Sequence, residues 1–431
     1  MADLLGLSSR IIDSGVLDEP SNRVTQELSE VADGIAVVES FSHVVVFRTA
    51  EGLVLFDTSG VWTGAQVVES LRQWSQDPVH SAVYTHGHMD HVGGSQFFAA
   101  DAVARGDALP RVVGHENVLP RFARYDLTNG YNLAINARQF GGTRKLGLDI
   151  GGGGSRFHPE ATLDPDVVVG QHLDLRVGEV DFELRHSKGE TDDHLWAWIP
   201  QHRAICAGDF FIWNFPNAGN PQKVQRYPLE WAQALRDMSA CDAELFLPAH
   251  GLPIAGKDRI RCVLDDVAGA LESLVSQTLE RMNAGESLDG VLHAVRVKDD
   301  VLAKPYLRPF YDEPEFVVRN VWRLYGGWYD GNPAHLKPAP ETALARELAG
   351  LAGGAAALAK RALELADAGD LRLACHLAEI AVQAEPKSRE AHGARADVYA
   401  AHRREATSLM AKGIYGAAAR ESRSRLEASD D

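Results

Sequence analysis

The sequence predicts an α/β domain with layered sheets and helices, followed by an all-α helical domain. Short β-branched runs alternate with amphipathic segments in the first half of the chain, a pattern typical of α/β folds. After about residue 257, apolar residues recur at helical spacing almost to the end. The 431 residues, 45% of them hydrophobic and 24% charged, are enough for two or three globular domains.

The elements of the α/β domain can be assigned in chain order. Between Gly34 and Asp57, three β-branched runs separated by Gly, Ser and Asp predict the strands of a meander or a hairpin. The next predicted elements are a helix over TGAQVVESLRQW, the strand HSAVY, a helix over GGSQFFAADAVARG and the strand RVVGHE. Gly141–Gly154 is too glycine-rich for the interior of an element, so we expect a mobile loop there. Strands return at LDLRVG, VDFELRHS, HLWAWIP and HRAICAGD, and AELFLPAHGLP ends the domain.

The second half is predicted to be helical. The segment RIRCVLDDVAGALESLVSQTLERMNAG keeps apolar residues three and four apart and ends at a glycine, as helices commonly do. Later alanine-rich helices resemble a tetratricopeptide-like pair, but one pair is weak evidence for a repeat array, and a packing or dimerisation domain is favoured. We therefore divide the chain into an N-terminal extension (1–24), an α/β domain (25–257) and a helical domain (258–431).

Charge and composition exclude several classes of partner. The formal charge of −17 argues against nucleic acid, whose phosphates are bound by clustered Lys and Arg. The four cysteines form no CxxC pair, so we expect reduced thiols rather than disulfides or a thiolate metal site. The first twenty residues lack the apolar core of a signal peptide, and no stretch approaches the ~20 apolar residues that span a bilayer. These observations predict a cytoplasmic protein with no membrane partner.

One short stretch carries most of the chemistry. His86, His88, Asp90 and His91 lie within six residues, directly after the predicted strand HSAVY and before a helix. On a loop that leaves a strand end, His86 and His88 can point to one side, while Asp90 and His91 turn toward a second point a few ångströms away. Imidazole and carboxylate groups suit zinc and related transition metals, and such dense clustering is costly without a cation. The stretch therefore predicts a metal site.

This loop alone would leave a metal site incomplete, so further ligands are expected at other strand ends. Three candidates follow apolar strands. Glu190 lies between the strands VDFELRH and LWAWIP, Asp209 follows ICAG, and His250 follows LFLPA.

The order of these motifs resembles the metallo-β-lactamase superfamily. THGHMDHVGG, the upstream FDTS, the acid after ICAG and the late PAHG recur in the order that the superfamily uses, over about residues 25–257. The resemblance implies an αββα metallo-β-lactamase sandwich with a dinuclear metal site at one sheet edge. Glu190 stands where most members carry a histidine, which resembles the alkylsulfatase branch. There, a glutamate completes the first metal site.

The helical half extends the resemblance. YLRPFYD from Tyr306, the later VRN and GGWYDGNP, and the helices after them look like the alkylsulfatase dimerisation domain, which implies a homodimer. Two departures stand out: the sterol-carrier-like domain of many alkylsulfatases is not found, and Asp209 replaces the usual bridging glutamate. The asparagine-and-arginine sulfate clamp of the branch is not recognisable at a clear position after Asp209.

The resemblance implies a role for each candidate residue. His86, His88 and Glu190 would bind one metal, and Asp90, His91 and His250 the second, with Asp209 as the bridge. The predicted cofactors are two divalent ions, zinc being favoured, that activate a shared water as hydroxide. Asp90 and Asp209 are the predicted catalytic carboxylates. Asp57, Asp193 and His194 are predicted to support the ligands from behind. The alternatives are a strand-end turn role for Asp57 and a direct ligand role for His194. His115 and His186 are expected to be structural.

Substrate contacts are predicted from charge and aromatic character. The candidate cations for an anionic group are Arg144, Lys145, Lys223 and Arg226. Trp213, Phe215, Tyr125 and Tyr131 could line an apolar slot, although core packing explains such aromatics equally well.

The leading interpretation is hydrolysis of a small-molecule ester, an alkyl sulfate above others. A lactonase, thioesterase or β-lactam hydrolase on the same metal pair is the alternative. A nuclease is disfavoured by the negative charge. A diiron redox protein is disfavoured by the lack of a flavin or other cofactor motif, and a non-catalytic scaffold by the filled ligand positions.

Overall fold

The computed structural model describes residues 2–140 and 156–428. Within these residues the chain forms two compact units. The first comprises residues 2–133 and 156–327, and the second comprises residues 134–140 and 328–428. The predicted loop Gly141–Gly154, with Arg144 and Lys145, lies outside the described residues.

The first unit contains two mixed sheets. The first sheet has seven strands in sequence order, antiparallel from β1 to β4 and parallel from β4 to β7. Its strands are β1 Leu28–Ala32, β2 Ile35–Val38, β3 Val44–Thr49, β4 Gly52–Phe56, β5 Val79–Val83, β6 Arg111–His115 and β7 Val167–Val169. The second sheet has six strands, β8 to β13 in sequence order, antiparallel except for the parallel pair β11–β12. Its strands are β8 His172–Val177, β9 Val180–His186, β10 Leu195–Ile199, β11 Ala204–Gly208, β12 Leu245–Pro248 and β13 Ile254–Ala255.

Helices cover these sheets and form the second unit. The described helices before residue 257 are α1 Leu4–Ser14, α2 Gly64–Trp74, α3 Met89–Val92, α4 Ser95–Arg105, α5 Val118–Leu127, α6 Asn129–Phe140 and α7 Pro228–Ser239. Those that follow are α8 Lys257–Asn283, α9 Leu288–Ala294, α10 Asp299–Leu302, α11 Pro314–Gly326, α12 Pro333–Leu336, α13 Glu341–Ala352, α14 Ala355–Asp367, α15 Leu371–Ala384, α16 Arg389–Glu405 and α17 Leu409–Glu427. None of these helices combines the length and the apolar character that crossing a bilayer requires.

The two sheets pack face to face. Phe47 of β3 and Phe182 of β9 meet edge to face with ring centroids 5.4 Å apart, inside a continuous core of β-branched and aromatic residues. Helices α2 and α4 bury Leu71 and Phe98 on the outer face of the first sheet, and α8 packs against β12 and β13. The αββα sandwich predicted from the sequence is therefore confirmed, as is the helical region after it.

The boundaries of the compact units along the chain differ from the boundaries of the predicted domains. Helices α8 to α11 belong to the first unit, together with both sheets. The N-terminal extension contains α1, whose Leu4, Leu7 and Ile11 are buried in the main core. The division into segments 1–24, 25–257 and 258–431 stays a prediction.

Candidate metal centre

The predicted ligands come together at one edge of the sandwich. His86, His88, Asp90 and His91 follow the C-terminal end of β5, and Asp209 follows the end of β11. Two further loops bring Glu190, between β9 and β10, and His250, after β12. In a parallel arrangement such as β4–β5 or β11–β12, the strands end at the same sheet edge, which is how ligands distant in sequence become neighbours.

Three ligand atoms form a first cluster. Those of His86, His88 and Asp209 all lie within 4.8 Å of one another. His86 Nε2 is 2.8 Å from His88 Nδ1 and 3.9 Å from Asp209 Oδ2. Glu190 adjoins this cluster, because its Oε1 lies 3.7 Å from His88 Nδ1.

A second cluster contains Asp90, His91 and His250. Asp90 Oδ2 lies 3.5 Å from His91 Nε2 and 3.4 Å from His250 Nε2. Both histidine nitrogens are also 3.4 Å from Asp209 Oδ1. Asp209 therefore turns one carboxylate oxygen toward each cluster.

The donors fit divalent cations. His91 Nε2 and Asp209 Oδ1 are buried and have no hydrogen-bond partner among the described residues, although they converge on the same point. Burying such groups unpaired is costly, and a cation between them removes that cost. Imidazole nitrogens and carboxylate oxygens at this separation are donors that zinc-type ions accept.

The charge states agree with this fit. Burial, reinforced by neighbouring cationic groups, holds the pKa of His86 and His88 well below the usual range, so both rings are neutral and offer lone pairs. Burial and the nearby Asp209 carboxylate raise the pKa of Glu190 well above its ordinary value. Burial favours protonated Asp209, but His250 and His91 outweigh it and hold its pKa below the usual range. Several carboxylates thus share a buried space, and the Arg226 guanidinium, 3.4 Å from Glu190 Oε1, lies beside only one of them.

Asp57 orients His91 from behind. Its Oδ2 accepts a hydrogen bond from His91 Nδ1 at 2.7 Å, and its two oxygens also accept from the backbone N–H and hydroxyl of Thr85. With Nδ1 engaged, Nε2 of His91 faces the cluster, the arrangement commonly seen behind metal-binding histidines. Asp57 adopts a left-handed backbone conformation, φ 62°, at the strand end, a strained feature of the kind that gathers at functional sites.

Asp193 and His194 contact the backbone of the ligand loops. Asp193 Oδ2 accepts hydrogen bonds from Gly87 N–H at 3.0 Å and from Arg121 Nε at 2.8 Å. His194 Nε2 accepts the backbone N–H of Asp209 at 3.1 Å, so this nitrogen supports the loop instead of facing the clusters. The predicted structural pair His115 and His186 stacks with ring centroids 3.9 Å apart.

Glu190 has two neighbours that sequence reasoning did not connect with it. Asn217 Nδ2 donates a hydrogen bond to Glu190 Oε1, and Arg226 Nη2 lies 3.4 Å from the same oxygen. Arg226 is only 1% exposed, and its Nε and Nη1 have no partner among the described residues. Arg226 was predicted as a substrate contact, whereas Asn217 was missed, although it lies in the FPNAGN segment that follows Asp209.

The other predicted substrate residues separate into two groups. Burial and the nearby Arg226 lower the pKa of Lys223 to about 7, and its ammonium lies 5.6 Å from the Phe157 ring centroid. Trp213 and Phe215 are fully buried in the core, and Trp213 Nε1 donates to the Leu252 carbonyl. Tyr125 is also buried, and Tyr131 is 63% exposed. Core packing therefore accounts for Trp213, Phe215 and Tyr125.

Tyr311 is a further neighbour that sequence reasoning did not assign to the site. Burial, and then the carboxylates of Glu190 and Asp90, raise its pKa well above the ordinary value. The signal available in the sequence is the YLRPFYD segment, whose resemblance to the dimerisation domain does not by itself indicate a place beside the ligands.

Comparison with known proteins identifies two regions. Residues 37–250 match the model of the metallo-beta-lactamase superfamily, and residues 288–425 match the model of alkyl sulfatase dimerisation. A linear primary-alkylsulfatase of Pseudomonas sp. is 25% identical over 79% of this chain and 66% of its own length. An alkyl/aryl-sulfatase of Saccharomyces cerevisiae is 24% identical over 86% of this chain and 60% of its own length. The chain thus spans less than two thirds of these relatives.

A solved structure shows the same fold. The stereoselective inverting sec-alkylsulfatase of Pseudomonas sp. superposes with a TM-score of 0.81 at 24% identity, over 92% of this chain and 66% of that one. Membership of the superfamily implies divalent metal ions, which agrees with the donor clusters described above. The chain belongs to the metallo-β-lactamase superfamily, in the alkylsulfatase-like branch that joins this fold to an alkylsulfatase-type dimerisation region.

Proposed function

We propose that this chain is a dinuclear metal-dependent hydrolase of alkyl sulfate esters. The observation that carries the proposal is the position of Asp209, whose two oxygens face two separate ligand clusters at 3.4 to 3.9 Å. A carboxylate in this position can bridge two ions. The relatives named as alkylsulfatases supply the substrate class.

Each side chain has a proposed role. His86, His88 and Glu190 hold one ion, Asp90, His91 and His250 hold the other, and Asp209 bridges them. Two divalent ions, zinc in our proposal, would supply Lewis acidity and lower the pKa of water at the site. The protein orients the ligands through Asp57, Asp193 and His194.

Recognition of a sulfate group is assigned to Arg226 and Lys223. Arg226 presents buried N–H groups beside Glu190, and a guanidinium matches an oxyanion in shape and charge. A chain with a charge of −17 needs such local cations to admit an anionic ester. A sulfate ester carries its anionic group at the bond that is cleaved, whereas lactones, thioesters and β-lactams present a neutral carbonyl there. A buried guanidinium beside the ligand Glu190 therefore favours the sulfatase over the alternative.

A substrate panel tests the proposal. Zinc-loaded protein is assayed with primary and secondary alkyl sulfates, lactones, thioesters and β-lactams, and kcat/KM is compared across the classes. We expect alkyl sulfates to be preferred, and Arg226→Gln to raise KM for sulfates by at least about tenfold, the loss of one charged hydrogen bond. Lys188→Gln, a change in the Glu190 loop, is the matched control. Turnover of another class without any sulfate turnover would overturn the sulfatase assignment.

We further propose that the chain forms a homodimer through the region matched by the dimerisation model. Helix α13 carries Leu344, Leu348 and Leu351 on one face, with exposures of 56%, 37% and 87%. An exposed leucine stripe of this kind is suited to burial against a second copy. The cytoplasmic location stays a prediction.

A further inference from the structure

The loop after Asp209 reaches Glu190 with two side chains but has little regular structure of its own. Asn217 and Arg226 both contact Glu190 Oε1, and no helix or strand is assigned between β11 and α7. Holding a carboxylate in a fixed orientation requires that its partners be fixed as well. The backbone of this loop must therefore be anchored elsewhere.

One anchor is Asp312. This residue is fully buried, and its Oδ2 accepts a hydrogen bond from Gly219 N–H at 2.6 Å, while Oδ1 accepts from Glu313 N–H at 2.7 Å. The loop also lies directly against the start of α11. A Cβ added to Gly219 would come within 2.3 Å of the Phe316 and Val317 backbone, so only glycine fits there.

The other anchor is Asn320 of α11, which is 5% exposed. Its Oδ1 accepts hydrogen bonds from Arg226 N–H at 3.2 Å and from Gln225 Nε2 at 2.9 Å. Its Nδ2 donates to the Arg226 carbonyl at 2.9 Å. One side chain thus pairs with both the backbone N–H and the carbonyl of Arg226. This fixes the backbone position from which the Arg226 side chain extends.

Both anchors belong to the stretch 288–425 that matches the dimerisation model. They nevertheless lie in the same compact unit as Glu190. We propose that Asp312 and Asn320 are positioning residues for the metal centre: by anchoring the loop from Asn217 to Arg226, they hold Glu190 in the orientation that binds its ion. Residues 288–425 would thus support the metal centre within one chain, whether or not two chains pair. The inference rests on the proposed metal centre but not on the identity of the substrate.

The test measures metal affinity directly. Full-length protein is stripped with a chelator and titrated with Zn²⁺ in competition with a chromophoric chelator. We expect two equivalents to bind to the wild type, and Asn320→Ala to weaken one of them about 10- to 100-fold, as is typical when an outer partner of a ligand is removed. Arg319→Ala, an exposed change on the same helix, should match the wild type. Asp312→Asn, which keeps the side-chain shape, should give a smaller loss in the same direction.

A double-mutant cycle distinguishes an effect of Asn320 on Glu190 from a general loss of order around the metal centre. If Asn320 acts through Glu190, then Asn320→Ala should cause no further loss of zinc affinity in a Glu190→Gln background. Additive losses, or folded Asp312→Asn and Asn320→Ala variants that bind both equivalents as the wild type does, would overturn the inference. If Asn320→Ala does not fold, Asp312→Asn and Asn320→Asp carry the test. Wild-type protein that binds zinc but cleaves no sulfate would refute the proposed substrate and leave this inference standing, whereas failure to bind any zinc would refute both.

Discussion

The carboxylate oxygens of Asp209 and Glu190 have different neighbours. Each Asp209 oxygen faces one ligand cluster, whereas Glu190 Oε1 contacts Asn217 and Arg226. Asp209 faces both clusters at comparable distances, whereas Glu190 lies beside only the first. Removing one carboxylate should therefore affect the two ions differently.

Glu190→Gln tests this difference. The amide keeps the side-chain shape but loses the negative charge, so we expect one of two zinc equivalents to be lost and turnover to fall by more than the roughly 10- to 100-fold typical of an outer-partner change. The measurements are metal analysis and kcat. Full occupancy with near-normal turnover would mean that another group, such as His194, binds the ion.

The buried Arg121 pairs with Asp193, whose carboxylate accepts a hydrogen bond from the Gly87 N–H between His86 and His88. Arg121→Ala leaves Asp193 charged and buried without its main partner, and breaking a buried pair in this way costs about 3–5 kcal/mol. Arg124→Ala, one turn along α5, is the matched control. Denaturant unfolding measures both variants. A loss below about 1 kcal/mol for Arg121→Ala would contradict the role assigned to the pair.

At the scale of elements, α11 and α13 differ in what they contact. Helix α11 buries Val317, Val318 and Val321 in the main core and anchors the loop beside Glu190. Helix α13 instead exposes its leucines. We therefore expect changes at the buried Asn320 of α11 to alter metal binding, and changes at the exposed leucines of α13 to alter assembly.

Leu351→Asp on α13 is expected to convert a dimer into a monomer. A charge buried in an apolar interface loses its hydration and gains no opposite charge as a partner, which costs several kcal/mol of dimer stability. Light scattering at micromolar concentration measures the mass. Leu127→Asp, an equally exposed leucine of α5, should leave the mass unchanged. A monomeric wild type would contradict the homodimer itself.

At the scale of the whole molecule, metal binding should stabilise the unit that contains the sheets. Ions that bind only the folded chain stabilise it by about 4 kcal/mol at a thousandfold excess over Kd. Chelation should lower the Tm of the sheet-containing unit, and added Zn²⁺ should restore it. Calorimetry of the full chain provides the measurement, with Ca²⁺ as the control ion. An unchanged thermal transition after verified removal of the metal would contradict the prediction.

Much of the fold and of the candidate site could be predicted because the information is local. Short β-branched runs and helical spacing indicated the α/β domain and the helical half, and the order of the ligand motifs, through the family resemblance, indicated the sandwich. His86, His88, Asp90 and His91 are recognisable because one strand end carries all four. Glu190, Asp209 and His250 could be named because each also follows an apolar strand.

Asp57, Asp193 and His194 were named from the sequence as supports of the ligands, but the tertiary structure alone revealed the partners that lie further from the ligand motifs. Asp312 is 93 residues from Gly219, Asn320 is 94 from Arg226, and Arg121 is 72 from Asp193. Such pairs produce no periodic pattern in the sequence. A single polar residue on a helix is expected to face solvent until its burial is known. The sequence by itself determined the fold class and the donors that converge on one sheet edge. Folding decided which distant side chains fix those donors, because hydrogen-bond partners are chosen by proximity in space and not by spacing along the chain.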